Sequence, residues 1–66
     1  MEMTRVTSSA IDAIGYEPST MRLFIRFLNS GTYTFCRVPP EIFAEFIQAS
    51  SKGGFYRSYI RDRFHC

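Results

Sequence analysis

The side chains of this chain best placed to do chemistry are cations near its end. Lys52, Arg57, Arg61 and Arg63 fall within the last fifteen positions, offset there only by Asp62. Arg57 and Arg61 are four apart, a spacing that puts two like charges on one helical face, where they repel by a few tenths of a kcal/mol. An anionic partner relieves that repulsion; so does Glu41 or Glu45 from a neighbouring helix. Just upstream, Ser51-Lys52-Gly53-Gly54 reads as the start of a helix, where backbone N–H groups can meet an anion and glycine lets it approach. The G-x-x-x-x-G-K-[ST] spacing of a nucleotide-binding loop is absent, and a capped helix start explains the same residues. A second group is Arg22, Phe24 and Arg26, alternate residues that share one face of a strand with Thr34. Cations interleaved with an aromatic ring suit single-stranded nucleic acid, where bases stack and phosphates pair. Arginine stems also cover an apolar ring with no ligand involved.

Catalysis finds less support. A nucleophile needs a base held by a third group, and the single histidine, His65, is one residue from the end. His65-Cys66 brings two metal-ligand types together without a second pair at zinc spacing. Glu41 and Glu45 read as the solvated face of a helix. No catalytic residue, metal site or cofactor is expected, and the chain reads as a binding module and not an enzyme. Cys36 and Cys66 make no disulfide framework; both are expected as free thiols in a reducing compartment.

These side chains must be carried by a small number of elements. Met21–Leu28 alternates, with Met21, Leu23, Ile25 and Phe27 on one face and Arg22, Phe24, Arg26 and Leu28 on the other. Asn29-Ser30-Gly31 is a turn, and Thr32–Val38 a second strand rich in β-branched and aromatic residues. With those three residues as the loop, Leu28 faces Thr32, Phe27 faces Tyr33 and Ile25 faces Phe35, which puts Tyr33 and Phe35 in the core. An earlier strand spans about Ser9–Tyr16 and ends at the Glu17-Pro18-Ser19-Thr20 turn. A β-bulge near Asp12 or Ala13 would turn Ile11, Ile14 and Tyr16 inward together. Pro39-Pro40 stops the sheet and starts a helix whose stripe is Ile42, Phe43, Phe46 and Ile47. Ser51 caps a last helix with a stripe of Phe55, Tyr56, Tyr59, Ile60 and Phe64. The expectation is an α+β fold: a three-stranded antiparallel β-meander followed by two α-helices packed on one face, βββαα.

The chain is short enough to be one domain, residues 1–66, and seven Phe and four Tyr supply the core area so small a chain needs. A net charge of +2 is mild for an obligate nucleic-acid binder. No apolar run approaches the about 20 residues of a membrane span, and the first residues lack the apolar stretch of a signal peptide. A cytoplasmic location is expected by default.

Ser8-Ser9, Ile14-Gly15-Tyr16, Leu23-x-Ile25-x-Phe27, Tyr33-x-Phe35-x-x-Val38-Pro39 and Ser51-Lys52-Gly53-Gly54-Phe55-Tyr56-x-x-x-Ile60-Arg61 follow one another in an order and spacing that resembles the KTSC domain family. The resemblance covers about residues 6–64. That family is a bacterial domain also found at the C-terminus of some lysyl-tRNA synthetases, and the association implies RNA binding. The family's central Y-x-Y motif corresponds to Tyr33 and Phe35, so the second hydroxyl is missing here. Arg57 stands where the family usually has asparagine after the aromatic pair. With the motif read as core, function is expected at Lys52, Arg57 and Arg61 on a basic C-terminal helix, with Arg22, Phe24 and Arg26 as a second RNA-contacting group. The alternative is a protein-interaction module, a homodimer or a partner bound at an exposed sheet edge.

Overall fold

The computed structural model describes residues 3–66. The chain runs through β1 (Thr4–Arg5), β2 (Ile11–Glu17), β3 (Arg22–Phe27) and β4 (Gly31–Phe35), then α1 (Pro40–Gln48) and α2 (Lys52–Phe55). A π-helical turn over Tyr56–Ile60 continues α2 directly. The α+β class is as expected, but the sheet has four strands in the order β1-β2-β3-β4, each antiparallel to the next. The strand missing from the expectation is β1, whose two residues pair with Ile14 and Ala13. Two residues are too few for a period-two pattern to register.

The ladder between β2 and β3 slips between Ile11 and Ala13, which is the expected bulge at Asp12. It turns Ile11 and Ile14 inward, where both are fully buried, and Tyr16 packs against the same cluster. The β3–β4 hairpin has the expected faces and a different register. Leu23 pairs with Phe35, Ile25 with Tyr33 and Phe27 with Gly31, and on the outer face Phe24 pairs with Thr34. The loop is therefore Leu28-Asn29-Ser30, closed by Gly31 at φ +85°. Gly31 takes that left-handed conformation without steric cost, as the residue ending a three-residue hairpin loop often must. The slip is two residues, so every side chain keeps its face, and alternation alone cannot tell the two registers apart.

Both strands then bend away at one level. Met21 and Arg37 adopt φ of 55° and 57°, and the Val38 N–H donates to the Met21 carbonyl at 2.8 Å. This brings Val38 into the core and sets the direction of α1, whose first residue is Pro40. Phe46 is fully buried, while Ile42, Phe43 and Ile47 pack beside it, so the expected stripe faces the sheet. Both helical segments cover one face of the sheet. Phe43 stacks on Tyr16, and Tyr56 meets Phe27 and Phe35 edge to face. The Ser51 hydroxyl accepts from the Gly54 N–H at 3.2 Å, the expected N-cap.

Three further expectations fail. Tyr33 is not core: it is 49% exposed, because β4 is the edge of the sheet and the helical cover reaches Phe35 but leaves Tyr33 half open. Tyr59, assigned to the last helix's buried stripe, is 47% exposed. The cysteines are not free. Cys36 and Cys66 form a disulfide across a Cα–Cα distance of 4.8 Å. Chain ends commonly fray, but here the Cys36 N–H donates to the Phe64 carbonyl at 3.3 Å, which lays the terminal segment beside the end of β4.

Candidate nucleic-acid interface

The outer sheet face comes out largely self-neutralised. The bulge at Asp12 aims its carboxylate at two guanidinium groups at once, Arg26 Nε at 2.8 Å and Arg5 Nη2 at 3.2 Å. Arg26 is thus held by an internal partner. Arg22 stands opposite the acidic Glu17 in the ladder. Phe24 is half-buried between Gly15 and Thr34, which fits the plain reading of a covered ring better than a stacking platform.

The C-terminal cations are not one cluster. Lys52 is half-buried and its Nζ donates to the Ala49 carbonyl at 2.6 Å, holding the last turn of α1. Arg57 is exposed and lines a cleft of about 410 Å³ with Ser8, Ser9, Ser51, Lys52 and Gly53. Among the described residues no acidic side chain lies within ion-pair distance of Arg57. This cleft gathers two cations, four serine hydroxyls with that of Ser50 included, and a backbone that glycine leaves open. The loop from Thr7 to Ala10 forms its far wall. Sequence reasoning anticipated the α2 side of the cleft and not the loop side, because nothing in a short serine-rich segment specifies which helix it meets.

Arg61 goes elsewhere. The π-helical turn is closed by the Arg61 N–H donating to the Tyr56 carbonyl at 2.9 Å. Arg57 and Arg61 are four apart as expected, yet they line different clefts. Arg61 lines a different recess, of about 300 Å³, with Phe27, Ser30, Tyr33 and Tyr56. Its Nε lies 3.8 Å from the Asp62 carboxylate, a long and half-exposed pairing.

Burial raises the Tyr56 phenol above its usual pKa; the Arg61 guanidinium pulls it back down, and Asp62 and Tyr33 push it further up. The recess is not legible in the sequence, because the parity of Tyr33 places it in the core. Its only available signal was Tyr33's position on a strand with no later strand to cover it.

A third cleft, beside β1, is lined by Thr4, Gly15, Tyr16, Glu17 and Phe43 and gathers no cation. Among the described residues no group of three or more His, Cys, Asp or Glu side chains comes together to hold a metal ion. No helix among them is long and apolar enough to cross a membrane.

The KTSC domain family model matches residues 7–64. A protein of Tsukamurella paurometabola is 42% identical over 62 residues, covering 94% of this chain and 92% of that one. A lysine–tRNA ligase of Nostoc sp. is 34% identical over 56 residues; the match covers 85% of this chain and only 10% of the ligase. The crystal structure of a KTSC domain protein from Yersinia pestis superposes with a TM-score of 0.94 at 38% identity, covering 96% of this chain and 89% of that one.

Proposed function

Because the chain belongs to the KTSC domain family, with matches both to free-standing proteins and to a small part of lysine–tRNA ligases, we propose that it is a small non-enzymatic RNA-binding module. Its contact surface is the cleft between the Thr7–Ala10 loop and the start of the last helix. The observation that carries this reading is Arg57: exposed, without an acidic partner among the described residues, and set beside Lys52 and four serine hydroxyls. Such a group suits a phosphodiester backbone, since phosphate contacts come mostly from cations, hydroxyls and backbone N–H groups. The exposed guanidinium keeps all its donors for a ligand, and Lys52 uses one of its three on Ala49. The outer sheet face is left out, since Arg26 is already paired. A cytoplasmic place of action belongs to the same proposal, and there the Cys36–Cys66 bond is expected to be reduced.

The test is a titration with short single-stranded and structured RNAs at low and moderate salt. Wild type is expected to bind, with affinity falling steeply as salt rises. Arg57→Ala is expected to weaken binding and to lower the slope of log K against log salt by about 0.7, the loss of one single-strand phosphate contact. Arg26→Ala is expected to leave affinity within roughly twofold, since its charge is compensated internally. If no RNA binds at low salt, the reading fails. A protein partner then takes its place, favoured by the exposed Leu28 and Tyr59.

A further inference from the structure

The recess beside β4 is built from unlike parts that converge. Phe27 is its floor, meeting Tyr33 edge to face at 5.5 Å and Tyr56 at 5.1 Å. Gly31 stands directly opposite Phe27 in the ladder. Having no side chain, it leaves Phe27 free to reach diagonally to Tyr33, a contact available to long aromatic side chains. Tyr33 is 49% exposed and keeps a ring surface open to solvent. Ser30 from the hairpin loop and Arg61 complete the wall.

Arg61 is there because of the π-helical turn. Five residues along an α-helix would carry its side chain about 140° around the axis from Tyr56. The i→i+5 hydrogen bond closes the turn over five residues, so Arg61 comes round to the side of Tyr56 and both line one recess. Single π-turns of this kind frequently occur at functional sites. Neither tyrosine hydroxyl hydrogen-bonds a protein group among the described residues, and neither is buried without a partner. Both are therefore open to an incoming molecule.

We propose that this recess takes one unpaired nucleobase of a single-stranded RNA, stacked against Tyr33 and presented edge-on to the Tyr56 hydroxyl, with the adjoining phosphate on Arg61. The assignment rests on the RNA-binding reading above and adds to it what the serine-lined cleft lacks, a surface for a base. At about 300 Å³ the volume is at the low end for a ligand site. It suits one flat ring. An aromatic face with a neighbouring guanidinium is the combination by which single-strand binders hold successive bases without reading their sequence. Tyr56 and Arg57 are consecutive, so the recess and the serine-lined cleft open on either side of one helical turn. A strand can lay its backbone on Arg57 and a base on Tyr33.

The experiment compares a short oligouridylate and oligoadenylate with duplex RNA of the same length, for wild type, Tyr33→Ala, Tyr33→Phe, Arg61→Ala and Arg57→Ala. The chain has four tyrosines and no tryptophan, so quenching of tyrosine emission reports stacking directly. Tyr33→Ala is expected to weaken single-strand binding roughly five- to a hundredfold, the range of one base stack, and to leave duplex binding unchanged. Tyr33→Phe keeps the ring and is expected to retain the affinity while losing most of the quenching, because the stacked fluorophore is gone. Arg61→Ala, at a half-exposed side chain, is expected to weaken single-strand binding with no change in thermal unfolding, which separates binding from folding should Tyr33→Ala melt early. If Tyr33→Ala and Arg61→Ala bind single strands as wild type does while Arg57→Ala binds less, the recess assignment is overturned and the RNA reading stands. If wild type binds no RNA, both fall together.

Discussion

The Tyr16 hydroxyl donates to the carbonyl oxygen of Val38 at 2.5 Å, tying β2 to the segment that leaves the sheet for α1. The same ring stacks on Phe43 at 4.9 Å, so one side chain joins strand, connector and helix. Tyr16→Phe keeps the stack and leaves the Val38 carbonyl without that donor. Urea unfolding is expected to show a loss of about 1 kcal/mol. Burial, and then the Glu41 carboxylate, raise the Tyr16 phenol above its ordinary value. The protonated form is the one the fold favours. Its contribution is fully present below the unfolded pKa of 10.0 and is lost as pH rises through the folded value. Tyr16→Phe should therefore flatten the alkaline limb of the stability curve, and the part that persists belongs to Tyr56, which is raised as well.

Adjacent glycines at the start of α2 should respond oppositely to alanine. A Cβ at Gly54 would lie 2.9 Å from the Ser51 Oγ, the atom that caps the helix, whereas one at Gly53 meets only the Ala10 Cβ at 3.8 Å. Gly54→Ala is expected to cost about 1 kcal/mol through the displaced cap. Gly53→Ala is expected to be neutral or to gain up to about 1 kcal/mol in helix propensity. Thermal melts of the two variants check both signs.

Asp12 is the hinge of the outer face, since among the described residues it is the acidic partner of both Arg26 and Arg5. Asp12→Ala is expected to lower stability by about 1 kcal/mol, a value set by half-exposed groups in partial solvent screening. The double variant with Arg26→Ala should cost less than the sum of the singles, the sign of a direct pair in a mutant cycle. Additive costs would mean that the pair contributes nothing.

Opening the Cys36–Cys66 bond frees 30 residues of chain separation in the unfolded state. On the chain-entropy account that costs roughly 3–4 kcal/mol, a large share of the stability a domain of this size commands. Reductant is expected to lower the urea midpoint of wild type strongly. Cys66→Ser should unfold at the reduced midpoint and be indifferent to reductant.

Much of this architecture is legible in the residues. The faces of β2, β3 and β4, the bulge at Asp12, the Pro40 start and the Ser51 cap all follow from local periodicity and local chemistry. What is not legible depends on neighbours distant in sequence. A two-residue slip of the β3–β4 hairpin leaves alternation unchanged, so the pairing of Phe27 with Gly31 is decided by loop geometry. Tyr33 has the parity of a core residue, and its exposure depends on how far the helices extend over the edge strand. Which cleft Arg57 and Arg61 each line depends on what they meet across the fold, Ser8 and Ser9 for the one and Ser30 and Tyr33 for the other. For the candidate site, residue types could be read and their grouping could not. The cations were identified, and the loop and ring that share their surface were not.

The sheet is a meander in which each strand pairs only with the next along the chain. Every ladder is closed by a short local connection, so little loop entropy precedes the first stabilising pairings. Chains dominated by such near neighbours collapse to their native topology quickly, in milliseconds and not seconds. Oxidation of thiols is slower, taking seconds to hours. Cys36 and Cys66 therefore meet in a molecule whose strands have already assembled, and the covalent bond records a geometry that folding has produced without directing the search for it.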